Sequence, residues 1–336
     1  CMETQVYKIH SDFFYVRDKN HNEYVCKLRD VLKKQKTQIL VGDFVKLSDD
    51  YNFIVSLQKR KNFIPRPKAA NIDLAVVVCA LHEPELDLIQ LNRYLTFLKF
   101  HNIESAICFN KEDLDKNIKQ TKKIIEKIYK PLGYKTFFIS AKNKTDLKEF
   151  SKYIQNKTVV FCGGSGVGKS TILNSLNPMI NIKTQNISHK TKRGCHTTRH
   201  CEIIEFNNYK IMDTPGFSCL KFDFLLPDKL INLFDDIKKY SKDCKYSNCL
   251  HNEDNKDICS VIYNIDKIDK SRYESYLCFL NESLEYKNKI SKQSIKEEKF
   301  KKETGSKTIT KISKKKREES RKTTNQKLNK TNIKGV

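Results

Sequence analysis

The chain has 336 residues, with 64 Lys and Arg against 40 Asp and Glu, a formal net charge of +24. That length exceeds one ordinary core and calls for two or three domains, while the positive excess points to a polyanion, nucleic acid first. The longest apolar run, Leu74–Leu81, is far short of a bilayer span and no secretory signal is expected at the start, so the expected compartment is the cytoplasm, with an organelle as the alternative.

Residues 1–66 read as an all-β barrel. Short alternating strands are expected at Val6–His10, Phe13–Val16, Glu23–Leu28, Ile39–Leu47 and Phe53–Leu57, with turn chemistry at Asn20, Asn22 and Gly42. Five such strands suit an OB-fold, though an SH3-like barrel would read almost the same. Tyr15, Arg17, Tyr24, Lys27 and Arg29 are the candidates for RNA contact, and alternate strand positions are as readily core.

From residue 67 to 222 strands alternate with helices. Strands are expected at Leu74–Leu81, Ala106–Phe109, Thr136–Ser140 and Thr158–Cys162. Helices fall between them at Leu88–His101, Ile118–Tyr129 and Leu147–Ile154. That rhythm predicts a parallel α/β sheet, to which His200–Phe206 and Lys210–Asp213 add two strands. Residues 223–290 turn helical, at Asp228–Tyr240 and Lys267–Lys287, around a cysteine cluster. The last 46 residues hold 16 Lys and Arg and 5 Asp and Glu, with too little apolar surface to offset ordering entropy. Residues 291–336 therefore read as a disordered, Lys-rich tail. Of the 64 basic residues 54 are Lys, so AT-rich coding is a competing source of the charge.

Gly163-Gly164-Ser165-Gly166-Val167-Gly168-Lys169-Ser170 fits GxxxxGK[ST] between an apolar strand and a helix. Its glycines let backbone N–H groups surround a β-phosphate, Lys169 would reach the β/γ-phosphates, and Ser170 would ligate Mg²⁺. Asp213-Thr-Pro-Gly216 closes a strand about 45 residues later. Asp213 can hold Mg²⁺ through water, and the Gly216 N–H can sense a γ-phosphate.

Asn110-Lys111-Glu-Asp113 follows another strand. A carboxylate at Asp113 accepts from guanine N1–H and N2–H₂, whereas adenine would leave it unsatisfied. Asn110 would brace the loops, and the Lys111 stem would cover the base. Ser140-Ala141-Lys142 ends the next strand and can offer a backbone N–H to guanine O6. These are the loops of a GTPase in an unusual order, base-reading loops before the P-loop, which is a circular permutation. Cys244-x4-Cys249-x-His251-x7-Cys259 supplies three thiolates and an imidazole, a closed set suited to one structural Zn²⁺.

A barrel, a permuted GTPase and a Cys/His module in this order resemble the small ribosomal subunit biogenesis GTPases, the RsgA family. The resemblance spans about residues 5–285. It is carried by Arg60-Lys-Asn-Phe-Ile-Pro-Arg-Pro67, Ala70-Asn-Ile-Asp73, Arg193-Gly-Cys-His-Thr-Thr198, Asp213-Thr-Pro-Gly-Phe217 and the motifs above. It implies a GTP-hydrolysing factor late in small-subunit assembly that cycles between GTP and GDP, binds rRNA and acts as a monomer. It also implies that a group of Thr197 or Thr198 completes the Mg²⁺ shell, and Thr198 is the favoured one. His196 would orient the attacking water, because Phe217 stands where many GTPases carry Gln. A loop histidine without a catalytic role is the alternative. The family's spacing from His to the last Cys is shorter, so Cys259 is reached across a two-residue insertion. The rival readings are a permuted GTPase of large-subunit assembly, an RNA-binding module with a relic nucleotide site, and an ATP-dependent P-loop enzyme, the last disfavoured by Asp113.

Overall fold

The computed structural model describes residues 3–65, 68–176, 201–206, 209–213, 220–252, 256–297, 299–302 and 308–311. Alternating sequence builds the first unit from β1 (Glu3–His10), β2 (Phe13–Arg17), β3 (Glu23–Leu28), α1 (Asp30–Lys34), β4 (Phe44–Leu47) and β5 (Phe53–Leu57). The strands run β1-β2-β3-β5-β4, β4 pairs back onto β1, and β3 and β5 are parallel, which is an OB-like closure. Val6, Val16, Cys26, Val45, Leu47 and Ile54 fill the interior.

The apolar run from Ile39 predicts a strand through Leu47, but the strand begins only at Phe44, and before it Val41 makes a single bridge to Ala69. Asp43 turns the chain first. Its carboxylate accepts from the Leu40 N–H at 2.7 Å, and Arg60 donates to it twice, at 2.7 and 2.8 Å. Ile39, Leu40 and Val41 are therefore buried ahead of the strand and outside it.

A short hairpin, β6 (Phe63–Pro65) and β7 (Lys68–Ala70), leads out of the barrel. Then follow β8 (Leu74–Ala80), α2 (Leu88–Phe100), β9 (Ser105–Asn110), α3 (Ile118–Tyr129), β10 (Lys135–Phe138), α4 (Leu147–Ile154), β11 (Thr158–Cys162) and α5 (Lys169–Leu176). After them come β12 (Glu202–Phe206) and β13 (Tyr209–Asp213). The parallel order is β10-β9-β8-β11-β13, with every residue of β8 buried. Val77, Cys79 and Cys162 face one core and Val76, Val78 and Cys108 the other, so the lone cysteines are packing residues.

The barrel is joined to this sheet by strand pairing. β12 lies antiparallel to β13 and also to β1, with Lys8 opposite Glu202, so the two units share one sheet of 11 strands. Ion pairs line the seam. Lys8 Nζ lies 3.2 Å from Glu202, and Glu205 is held by Arg17 at 2.6 Å, Lys210 at 2.9 Å and His21 at 3.1 Å. Burial opposes ionisation of Glu205, but Lys210 and Arg17 outweigh it and hold its carboxyl at about 2. A depressed carboxyl stabilises above its ordinary value near 4.5 and loses that contribution as pH falls towards 2. Thermal denaturation should therefore show the native chain losing stability through that window, and Glu205→Gln flattening the loss. Parallel pH profiles for the two proteins would refute the role of the seam.

The C-terminal region contains α6 (Pro227–Leu230), a 3₁₀ turn at Ile231–Leu233, α7 (Asp235–Ser241), α8 (Ser260–Tyr263) and α9 (Lys270–Glu297). A single helix over Asp228–Tyr240 is thus replaced by three pieces. Phe234 leaves helical geometry, with φ −119° and ψ 84°, and its fully buried ring packs on Tyr276 and Phe279 of α9. Helical spacing continues on both sides of that break, which is why periodicity misses it.

Polar groups pin α9 to α2. Arg272, 3 % exposed, donates to Asp236 at 2.8 and 3.1 Å and to Asn92 Oδ1 at 2.9 Å. Beyond α9, β14 (Lys299–Lys302) pairs antiparallel with β15 (Thr308–Lys311). Residues 312–336, most of the expected tail, lie outside the described residues.

Candidate nucleotide site and metal cluster

Parallel strands end together, so the sequence motifs gather at one edge of the sheet. Asn110 closes β9, Ser140 and Ala141 follow β10, and the P-loop follows β11. Asn110, 2 % exposed, braces all three loops. Its Nδ2 donates to Val167 O at 3.0 Å, and its Oδ1 accepts from the Ala141 N–H at 3.1 Å. Ser175 Oγ, on α5, donates to Ala141 O at 2.8 Å and ties the base-side loop to the P-loop helix.

Gly163 has φ +145°, and a Cβ there would meet Val78 O at 2.2 Å. Gly168 has φ +93°, and a Cβ there would meet Asn110 Nδ2 at 2.2 Å. Only glycine suits these two positions. Gly164, Ser165 and Gly166 cross the outer turn, and Ser170 is half-buried in the first turn of α5. Lys169 Nζ lies inside the loop, donating to Gly163 O at 2.9 Å and Gly164 O at 2.6 Å. Burial lowers its pKa.

Lys111 adopts left-handed geometry, φ +63°, and its Nζ donates to Glu83 O. Asp113 and Lys142 are exposed on neighbouring loops, and Ser140 is fully buried with its Oγ accepting from the Asn143 N–H at 3.1 Å. Asp213 ends β13, parallel to β11 and on the same edge as the P-loop. His196, Thr197, Thr198, Gly216 and Phe217 lie outside the described residues.

Leu220 and Phe222 follow the Asp213–Phe217 segment and are gripped from two sides. Arg93 donates to Leu220 O at 3.2 Å, and the Phe222 N–H donates to Glu282 of α9 at 2.8 Å. The permuted connection therefore runs straight into the C-terminal helices. Chain order alone suggested the connection, and the clamp itself needed the fold.

The four metal-ligand candidates converge. Ligand atoms of Cys244, Cys249, His251 and Cys259 lie within 4.8 Å of one another. Nδ1 of His251 is 3.5 Å from Cys244 Sγ and 3.6 Å from Cys259 Sγ, and those two sulfurs are 4.0 Å apart. A tetrahedron of ~2.3 Å bonds has edges of about 3.8 Å, so the cluster has the size of one tetrahedral metal site. Burial pushes the Cys259 thiol up to about 12, with neighbouring Cys249 and Cys244 adding to it, so three thiolates here need a compensating cation. Burial lowers the His251 pKa, which favours the neutral, ligating imidazole. Tyr273 and Tyr276 of α9 donate to His251 O at 2.8 Å and Leu250 O at 3.0 Å and fix the knuckle. The longer spacing to Cys259 does not prevent it from joining.

On the barrel, the RNA candidates divide. Arg17 is consumed by Glu205 and Glu23 and stacks on Tyr7. Tyr24 packs on Tyr51, with ring centroids 4.9 Å apart, and Tyr15 packs against Tyr7. Lys27 and Arg29 are exposed. Sequence reading missed Phe13, Phe44 and Phe53, which are exposed on barrel strands, Phe13 beneath Lys27 Nζ at 5.0 Å. Alternation was the available signal, since each stands out of phase with the buried residues.

A family model described as the RsgA GTPase matches residues 57–223, and one described as the RsgA N-terminal domain matches residues 3–52. The small ribosomal subunit biogenesis GTPase RsgA of Clostridium novyi (strain NT) is 37% identical over 287 residues, covering 84% of this chain and 98% of its own. The chain belongs to the RsgA GTPase family. It is a GTP hydrolase with an OB-like barrel and a circularly permuted GTPase domain. YjeQ from Thermotoga maritima has a similar structure, with a TM-score of 0.71 and 28% identity over 84% of this chain and 98% of that one. YloQ, titled a circularly permuted GTPase, gives 0.69 and 30% over 84% and 95%. A model described as a 50S ribosome-binding GTPase matches residues 158–294. That match begins at β11, the strand before the P-loop, where an unpermuted GTPase would start.

Proposed function

We propose that this chain is a late assembly factor of the small ribosomal subunit, binding rRNA through the barrel and the Cys/His module and switching on GTP hydrolysis. The carrying observation is the coincidence of barrel, permuted nucleotide edge and Cys₃His cluster in one chain, matched over nearly the whole length of a relative bearing that name. A large-subunit role would leave the barrel and the cluster unexplained. The exposed rings and cations of the barrel strands favour RNA contact.

In this reading Asn110, Lys111, Asp113 and Ser140–Lys142 receive guanine, and Gly163–Ser170 receives the phosphates. Ser170, Asp213 and Thr198 would hold Mg²⁺, which neutralises charge developing on the phosphate oxygens. Lys169 would trade its carbonyl partners for phosphate oxygens. Water attacks the γ-phosphorus, the bond to the β-phosphate oxygen breaks, the proton lost by water passes to phosphate oxygen or solvent, and GDP and inorganic phosphate leave. His196, as neutral imidazole, orients that water where Phe217 cannot. Cys244, Cys249, His251 and Cys259 would hold one structural Zn²⁺ with no open position. The protein acts as a monomer in the cytoplasm. Among the described residues no helix is long and apolar enough to cross a membrane.

GTP turnover with and without isolated small subunits tests the reading. Stimulation of at least about 100-fold is expected, with His196→Ala lowering the stimulated turnover by about 100-fold at unchanged GTP affinity. Absence of stimulation would overturn the assembly role. Unchanged stimulated turnover in the variant would remove His196 from the mechanism.

A further inference from the structure

Between the exit from the barrel and the end of α2 lies a cleft of about 840 Å³, lined by residues 57–63 and 100–102. Lys59, Arg60 and Lys61 are among its walls, and no carboxylate is. Two large rings stand open on it, Phe63 at 46% and Phe100 at 38% exposure. Both are backed by other groups. Phe100 lies 5.1 Å from the His101 ring and 5.3 Å from Phe224, and Phe63 lies 6.3 Å from His101 and 5.6 Å beneath Arg60.

We propose that this cleft holds an unpaired RNA segment, with bases stacked on Phe63 and Phe100 and phosphates met by Lys59 and Lys61. The proposal rests on the rRNA-binding reading above and gives it a second contact, apart from the barrel face. Fixed aromatic platforms beside cations are what unpaired nucleotides need, since a base inside a duplex has no free face to stack. The cations divide by role. Arg60 is committed to Asp43, so it shapes the wall and does not receive phosphate. Lys59 has no ion-pair partner among the described residues. Lys61 reaches Asp73 at 3.3 Å with both ends exposed, a pairing weak enough to exchange for phosphate. The cleft also continues the barrel surface, for the Gln58 N–H donates to Phe44 O at 2.9 Å and the Phe44 ring is exposed.

The chain contains no Trp, so Phe100→Trp installs a single indole in the cleft. Its fluorescence is followed in the full chain as a ten-residue oligouridylate is added, with anisotropy of labelled oligouridylate recorded in parallel. Saturable quenching with the same midpoint as the anisotropy is expected. Lys59→Glu with Lys61→Glu, in the same background, should weaken that quenching by about tenfold. GTP affinity, unchanged in both proteins, reports that they are folded, and Phe63→Trp repeats the test should Phe100→Trp misfold. Absence of quenching, including binding seen by anisotropy alone, overturns the proposal. So does an emission shift caused by RNA-free small-subunit proteins but not by oligouridylate, which would make the cleft a protein-docking surface. Stimulation of GTP turnover by small subunits is read on the native chain, so failure of the assembly role is distinguished from failure of the cleft.

Discussion

Gly168→Ala is expected to cut guanine-nucleotide affinity at least about 100-fold, or ~2.7 kcal/mol, while leaving the chain folded. Two independent costs combine. The residue sits at φ +93°, where an L side chain is strained by about 1–2 kcal/mol. Its new Cβ would also stand 2.2 Å from Asn110 Nδ2. A flexible side-chain end could swing aside, but this amide is buried and held at both ends, by Val167 O and the Ala141 N–H. Moving it would release the P-loop from the base-reading loops. Titration with a fluorescent GDP analogue measures the effect. Affinity within threefold of the native chain would show that the loop adapts and that the Asn110 brace is dispensable. The strands beneath are buried independently of the loop, so the melting temperature should fall only a few degrees.

Removal of the proposed metal predicts a different failure. With a chelator, or in Cys259→Ser, the C-terminal helices should loosen while the nucleotide edge persists. The three thiols and His251 occupy the volume of one tetrahedral site, and Cys259 is 1% exposed, so an empty cluster leaves buried polar groups without a cation. Binding of structural zinc is worth ~10–16 kcal/mol in isolated modules, and here the α9 packing should retain part of the fold. A loss of roughly 4 kcal/mol, about 10 °C in melting temperature, is the expected size. Elemental analysis should find one zinc per chain. Well-folded protein without zinc, or an unchanged melting curve in chelator, would defeat the assignment. Nucleotide affinity should hardly change, because Asn110, Lys169 and the P-loop contact none of the four ligands.

The Cys/His cluster and the segment after Asp213 share α9. Its Tyr273 and Tyr276 hold the knuckle, its Glu282 holds Phe222, and its Arg272 is joined to Asn92 of α2. A disturbance at the Cys/His cluster thus has a direct mechanical route to the segment that follows Asp213.

What the sequence determined by itself was local and serial. Glycine spacing in the P-loop, the strand–helix rhythm and the Cys/His set depend on nearby residues, where backbone geometry and turn chemistry act directly, and the permuted order of loops follows from the order of such local motifs along the chain. Most strands and helices could be placed for that reason, and the errors fell where a distant contact overrode the pattern. Phe234 breaks a well-spaced helix to pack on α9, and Asp43 with Arg60 turns an apolar run that alternation would extend. Only the tertiary structure decided how charges and polar groups are shared. Arg17 suits RNA by type, yet it serves Glu205 across the seam, 188 residues away. Asn110 could be read as a brace, but its partners Val167 and Ala141 became known only from the fold. Covalent neighbours set conformation at short range. Which cation neutralises which carboxylate depends on surfaces that meet only after the sheet is assembled.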